Sequence, residues 1–280
     1  YSQNLIAANS DRDVVNLFYG FLSGSDNFPG SFQGKVLDSK LQKARHAVTG
    51  IEFDINRYLD LNIEAYIKDF TQLTNINKDK LFEDNADNSS RPDYQKKDFI
   101  IETGFARGLD FLLKYDYKKL NVWLAYSLGF VNRDDGIRQY VPVFDRRHNL
   151  NLVVSYSFGK KQEWESSLRW NFASGFPFTQ NQGAYEHLNF ADGINTDYIH
   201  TNGQLGLIFG EFNNSRLPYY HRLDLSLKRK IIVFEKASLE MNFSLTNAYN
   251  RKNAFYVDRI TGTQINQLPI LPAVGISLAF

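Results

Sequence analysis

Asp145–Gly175, DRRHNLNLVVSYSFGKKQEWESSLRWNFASG, carries the pattern that decides the fold. Leu150, Leu152, Val154, Tyr156 and Phe158 occupy every second position, and Asn149, Asn151, Ser155 and Ser157 fall between them, with Val153 the one apolar exception. After Gly159-Lys160-Lys161-Gln162 the alternation resumes. Trp164, Leu168, Trp170 and Phe172 take one parity; Glu165, Ser167, Arg169 and Asn171 take the other. A period of two means β-strand, because successive side chains point to opposite faces. Two such strands around a short Gly/Lys turn make an antiparallel hairpin. Each arm exceeds the usual soluble strand of about five or six residues and is long enough to cross a bilayer at a tilt. One face is apolar with aromatics near its ends, and the other carries whole charges. The hairpin reads as a wall with oil on one side and water on the other.

Composition is compatible with such a wall. The 280 residues hold 32 Lys+Arg against 31 Asp+Glu, a balance that gives no argument for a nucleic-acid surface. No apolar run approaches the roughly 18 residues of a transmembrane helix. Mean hydropathy is −0.40, but a membrane barrel spends half of each strand on polar residues and has the same average as a soluble protein. Aromatics at 15% are high, and Tyr and Trp concentrate at membrane interfaces. The chain has no cysteine, so disulfide frameworks and thiolate metal sites are excluded. The single methionine is Met241 and no signal peptide opens the chain. Tyr1 is therefore not read as the translation start: either processing removed the beginning or, as the strand count below favours, these residues are part of something longer.

The same alternation recurs along the chain. Residues 1–43 read as a long structured loop, in which Val14–Leu22 is a short helix or a loop strand. From about Ala44, Ile51, Phe53 and Ile55 alternate with Glu52 and Asp54. After a turn at Asn56-Arg57-Tyr58, Leu59, Leu61, Ile63, Ala65 and Ile67 alternate with Asp60, Asn62, Glu64, Tyr66 and Lys68. Thr71–Lys97 reads as a polar loop. A strand from about Asp98 carries Leu109, Phe111, Leu113 and Tyr115 on one face, with Gly104 and Gly108 marking a bend or close backbone contact. Leu120–Phe130 follows the turn at Asp116–Lys119. Beyond the hairpin, a loop of about forty residues is expected over 176–217. Leu223–Lys228, a link near Arg229–Lys236, Leu239–Thr246, a loop at 249–269 and Leu271–Phe280 complete the chain.

Connections alternate strictly between long and short. Short ones fall near 56–58, 116–119, 159–163 and 229–236; long ones near 2–43, 71–97, 132–144, 176–217 and 249–269. Tight turns at one end and long loops at the other are the habit of outer-membrane barrels, and a soluble sandwich has no reason for it. The expected fold is all-β: a transmembrane antiparallel β-barrel, of which residues 1–280 form one portion with about nine strands. An odd count that starts on the loop side does not match an even-stranded barrel, so earlier strands are expected upstream.

YVPVFDRRHNLNLVVSYSFG, RWNFASGFPFTQ, SRLPYYHRLDLSLKR, SLTNAYNRKNAFY and the ending LPAVGISLAF together resemble the C-terminal barrel of TonB-dependent outer-membrane receptors. The flavour is that of the Bacteroidota group, whose members often carry an N-terminal carboxypeptidase-regulatory-like domain. The resemblance runs from about Ala44 to Phe280. It implies a barrel of about 22 strands around an N-terminal plug, residence in the bacterial outer membrane, and import of a siderophore, glycan or peptide without bond chemistry. The implied partners are outer-membrane lipids, the TonB system acting through the plug, the barrel-assembly machinery and, in some relatives, a surface lipoprotein. Plug and TonB box do not occur in these residues. A non-transporting structural or docking barrel and a barrel hydrolase stay open as alternatives.

Candidate sites are few. Val274, Ile276, Leu278 and Phe280 look like the C-terminal signal by which the assembly machinery recognises its clients, and they also suit a last lipid-facing strand. The five histidines, His46, His148, His187, His200 and His221, form no i, i+4 pair, so neither metal nor cofactor is expected. His148 and His221 read as rim hydrogen-bonders. Ser155 and His148 fall on opposite faces of a strand and make no catalytic pair. Glu83-Asp84-Asn85 and Asp134-Asp135-Gly136 lack the full Ca²⁺ loop and read as solvated charge. Phe178, Tyr185, His187 and Tyr198, set among Asn and Gln, are the candidate ligand-contact residues, aromatics with amides being suited to sugar rings or peptides.

Overall fold

The computed structural model describes residues 2–4, 31–32, 35–36, 41–77, 79–187, 204–234, 237–258 and 261–279. Val14–Leu22, His200, Tyr198, Phe280 and the His187 side chain lie outside what is described. Nine long strands dominate: β1 (Leu41–Asn56), β2 (Leu59–Ile76), β3 (Phe99–Tyr117), β4 (Leu120–Asp134), β5 (His148–Phe158), β6 (Trp164–Ala173), β7 (Tyr220–Phe234), β8 (Ala237–Thr246) and β9 (Leu271–Ala279). They hydrogen-bond in sequence order, and Ser2–Asn4 adds to the free side of β1.

The register carries the two-faced pattern from strand to strand. Leu120, Val122, Leu124 and Tyr126 stand opposite Tyr156, Val154, Leu152 and Leu150. Those lie beside Ser166, Leu168, Trp170 and Phe172 of β6. Leu168 and Trp170 meet Leu225 and Leu223; Leu227 and Leu225 meet Phe243 and Leu245; Met241 and Leu239 meet Ile276 and Leu278. The apolar parity is thus one face across six strands. The other parity is polar: Arg169 faces Asp224, Glu165 faces Lys228, Lys230 faces Glu240, and Lys228 is ion-paired with Glu240 at 3.0 Å. Val153 sits on this polar face between Trp123 and Arg169. A one-residue slip at any step would invert the faces, so the register is held by the pattern itself.

Rings cluster at both ends of the apolar face. Toward the short turns, Tyr156, Phe158 and Trp164 stack in succession with centroids 6.2 and 6.1 Å apart, and Tyr58 meets Tyr117 edge-on at 4.8 Å. Toward the long loops, Trp170 stacks on Phe172 and Phe172 on Tyr219, while Tyr126 and His148 share a 2.9 Å hydrogen bond. The bands are about eight residues apart along β6, roughly 26 Å of strand, or about 20 Å of bilayer at a 40° tilt.

Several strands run past their expected ends. The loop expected from Thr71 begins only after Ile76, and Arg229–Phe234, expected as a link, is still strand, with Arg229 opposite Met241 and Ile231 opposite Leu239. The expected loop over 176–217 contains paired backbone: Pro177–Phe178 with Ser215–Arg216, and Asn181–His187 with Gln204–Phe209. Likewise Gln139–Tyr140 pairs with the end of β4, and Ala254–Val257 with Gln264–Asn266. Polar side chains outside the bilayer erase the apolar alternation without removing the ladder that the backbone gains by pairing. Gly104 does mark a close approach, as expected: a Cβ there would stand 3.0 Å from Asn132 O and Arg133 Cδ.

Two compact units divide the chain. One holds residues 1–49, 65–108 and 130–142. Its interior is mixed: Leu73, Phe99, Ile101 and Ala106 are buried together with Glu102, 1% exposed, which accepts hydrogen bonds from Tyr140 Oη (2.6 Å) and Asn75 Nδ2 (2.9 Å), with Arg133 Nη1 at 3.6 Å. The other holds 50–64, 109–129 and 143–280, and carries both the strand register from β4 to β9 and the motifs described next.

Candidate functional site

The sequence motifs between the long strands converge at the loop end of β5, β6 and β7. Asp145, 2% exposed, takes the Arg216 guanidinium through Oδ2, and the same Arg216 donates to the backbone carbonyls of Asp145 (3.1 Å) and Gly175 (3.2 Å). A planar five-donor fork suits one carboxylate and two carbonyls at once, which an ammonium could not span. Arg147 Nε adds a second cation 3.7 Å from Asp145 Oδ2. Ser174 Oγ accepts from His148 N at 3.2 Å, and Arg146 lies over the rings of Phe176 (4.0 Å) and Tyr220 (5.4 Å). Burial lowers the Arg146 pKa from its ordinary value.

One connection further along, Asn247 does similar work with φ +53° and no exposed surface. Its Oδ1 accepts from Arg251 N, its Nδ2 donates to the carbonyls of Arg251 and Leu268, and its N–H donates to Asp224 Oδ1 at 2.9 Å. Asn is among the few side chains that tolerate the left-handed region. Asn253 ties back to β7 through both backbone groups of His221. These clamps fix the bases of the long loops on the strands.

Above the clamps opens an apolar cleft of about 660 Å³, lined by Val143, Phe144, Phe176, Phe178, Leu217 and Phe255 among others. Phe144 and Phe255 are more than half exposed. Of the four expected ligand-contact residues, Phe178 lies in this cleft. Tyr185 stands on the separate Asn181–His187 ribbon, where its ring covers Gly206: a Cβ there would be 2.4 Å from the ring. The structure therefore brings Phe178 together with Phe144 and Phe255, which the sequence reading did not select, and places Tyr185 against Gly206 with about half of its surface exposed. A signal for the other two existed in VPVF and NAFY, apolar steps inside loops that composition marks as polar.

The remaining candidates are placed as follows. His148 bonds Tyr126, and His221 Nδ1 bonds Tyr249 Oη at 2.7 Å, so both are rim hydrogen-bonders. Ser155 Oγ meets Ser167 Oγ at 3.3 Å and has no contact with His148. Around Glu83-Asp84-Asn85 the carboxylates are taken by lysines: Lys97 Nζ at 2.6 Å from Asp84, and Lys80 Nζ 3.0 Å from Glu83 and 2.8 Å from Asp98. The Lys97 hydrogen bond holds the Asp84 carboxyl below its ordinary range, and the Asp98 bond raises Lys80. At Asp134-Asp135-Gly136, Asp135 pairs with Arg138, which also grips Asp79 through both oxygens. Among the described residues no group of carboxylates and imidazoles is arranged to hold a metal. Val274, Ile276 and Leu278 share one face of β9; Val274 and Ile276 are 68% and 72% exposed.

No protein-family model matches the chain, and no curated protein does. Solved structures do. The crystal structure of the ferric citrate transporter FecA in unliganded form superposes with TM-score 0.55 at 14% identity, covering 86% of this chain and 32% of that one. The ferripyoverdine receptor of the outer membrane of Pseudomonas aeruginosa gives TM-score 0.53 at 11% identity, covering 86% and 27%. FpvA of P. aeruginosa bound to heterologous pyoverdines gives 0.55 at 12%, covering 88% and 28%. The chain spans about a third or less of those proteins. At such identity the likeness concerns the fold alone: the antiparallel sheet of β1 to β9 is similar to part of the barrel wall of those proteins.

Proposed function

We propose that these residues are the C-terminal part of a TonB-dependent receptor of the bacterial outer membrane, one that imports a scarce or bulky ligand through a plugged barrel. The observation that carries the proposal is the apolar face kept in register from β4 to β9 between two aromatic bands. An apolar face of this length between two aromatic bands suits hydrocarbon on that side. The loops clamped at its far end, with Phe178 in an apolar cleft, suit a ligand-facing mouth. Energy from the TonB system would act through a plug contributed by other parts of the protein. Val274, Ile276, Leu278 and Phe280 would serve the assembly machinery as a recognition signal. The Bacteroidota affinity, the barrel of about 22 strands and a surface lipoprotein as partner belong to this same reading. The similar structures handle ferric citrate and ferripyoverdine; a ferric chelate joins glycans and peptides as a ligand class to test.

The test uses the full-length receptor in cells with and without a functional TonB system. Accumulation of labelled ferric chelates, oligosaccharides and peptides is measured. The proposal expects one class to accumulate only when TonB is active. Correct insertion in the outer membrane with no TonB-dependent accumulation of any class would assign the protein to the non-transporting, docking role.

A further inference from the structure

Three cations at the short-turn end are arranged unlike most of those at the loop end, and unlike their neighbour Lys228, which pairs with Glu240. Lys80, Lys97, Arg138, Arg147 and Arg216 each lie within 4.0 Å of a carboxylate. At the turns, Arg57, Lys118 and Arg229 lie over aromatic rings instead. Arg57 is 5.8 Å from the centroid of Tyr58, Lys118 Nζ is 4.9 Å from that of Tyr117, and Arg229 is 4.7 Å from Trp164. Among the described residues none of the three has a carboxylate at ion-pair distance.

The rings beneath them form the turn-side band of the apolar face. Trp164 and Arg229 are direct cross-strand partners on the apolar parity, and Phe158 stacks on Trp164. Tyr117 continues the parity of Leu113 and Tyr115, and Tyr58 abuts it. The Arg229 Nε is buried with no hydrogen-bond partner. Lys160 and Lys161 are exposed on the intervening turn. Among the described strand residues at this end, the acids Asp54, Asp60, Asp116, Glu165 and Glu240 take the opposite parity. Glu163, in the turn just before β6, lies beside Arg229, and its carboxylate accepts the Lys161 N–H at 2.8 Å.

A cation laid on an aromatic ring at the edge of a hydrocarbon-facing band stands at headgroup height, with its donors turned to the leaflet. We infer that Arg57, Lys118 and Arg229, with Lys160 and Lys161, form a belt that binds the anionic phosphate headgroups of the lipid leaflet at the turn end. The chemistry required of the ligand is a phosphate carrying net negative charge on a lipid. The inference rests on the membrane reading above. An acidic protein surface would meet the same charges, but the rings under them belong to the lipid-facing parity, which favours lipid.

The experiment takes the full-length receptor, purified in detergent and stripped of lipid, and counts retained lipids by native mass spectrometry. Phosphatidylglycerol, phosphatidylcholine and inorganic phosphate are the probes. Phosphatidylglycerol should be retained over phosphatidylcholine, and millimolar phosphate should not displace it. The triple variant Arg57→Gln, Lys118→Asn, Arg229→Gln should lower its occupancy by about tenfold or more, each cation being lost from the headgroup plane. Asn keeps the left-handed backbone that Lys118 adopts (φ +53°). Should the triple variant not fold, the pair Lys160→Gln, Lys161→Gln, on an exposed turn, must still lower occupancy at least about twofold. Equal retention of the two lipids, or no loss in the variants, overturns the belt. Displacement by phosphate would make it a small-anion site, and displacement by poly-glutamate a protein-docking site; both overturn the lipid assignment. A receptor that inserts into vesicles without headgroup preference fails the belt alone, whereas one that does not insert fails the membrane reading.

Discussion

Asp145 is a carboxylate that water scarcely reaches, held by an arginine 71 positions away in sequence. Removing one partner of such a buried pair costs about 3–5 kcal/mol, and Arg147, 3.7 Å from the same carboxylate, sets the loss of Arg216 at the lower end of that range. Arg216→Ala in the full-length protein is therefore expected to destabilise by that amount in denaturant unfolding. Asp145→Ala should cost a similar amount, and the double variant clearly less than the sum; additive costs would show that the two residues act separately. The DRRHN and SRLPYYHRLD stretches were visible in the sequence as motifs. Their meeting was not, because a side chain carries no mark of a partner so distant. The same holds for Asn247, a polar residue in a loop by composition and a fully buried hub in fact.

At the scale of elements, the periodicity reached as far as the bilayer does. Strand centres followed from alternation because hydrocarbon on one side demands it. Ends did not: β2 continues through Thr71–Ile76, where the apolar demand is relaxed, and β7 through Arg229–Phe234, where Ile231–Phe234 puts apolar residues on both parities and hides the alternation. Within β2, Ile63→Arg should destabilise by roughly 2–4 kcal/mol and Asn62→Arg far less, since only the first places a charge in lipid. Equal costs in a vesicle unfolding titration would refute the facing. The connection 77–98, expected as a solvated polar loop, is instead stitched by Lys97–Asp84, Lys80–Asp98 and Asn77. Because the folded loop depresses the Asp84 carboxyl, its contribution is present above the ordinary carboxylate range and is lost as pH falls through the depressed value. Amide protection over residues 85–97 should thus persist to about pH 4 and fail below it. In Asp84→Asn protection should already be weaker at pH 7. Hydrogen exchange measures both, and a protection profile identical in the variant would contradict the pairing.

For the whole molecule, the ladder ends at β9 on one side, and β9 is exposed along its length. In hydrocarbon an unpaired edge leaves backbone groups unsatisfied at several kcal/mol each. Residues 1–280 expressed alone with a signal peptide should therefore lack heat-modifiable gel mobility and protease resistance. Both should return when the remaining chain is supplied. A compact, protease-resistant monomer from the segment alone would mean that the edges close on themselves. The central claim, a wall with lipid on one parity, has a direct test in spin labels placed singly along residues 148–158 of the full-length protein in lipid vesicles. Accessibility to oxygen, which dissolves in lipid, should peak at 150, 152, 154 and 156, and accessibility to a water-soluble nickel chelate at 149, 151, 153 and 155. A profile without period two, or one of opposite phase, would contradict the account.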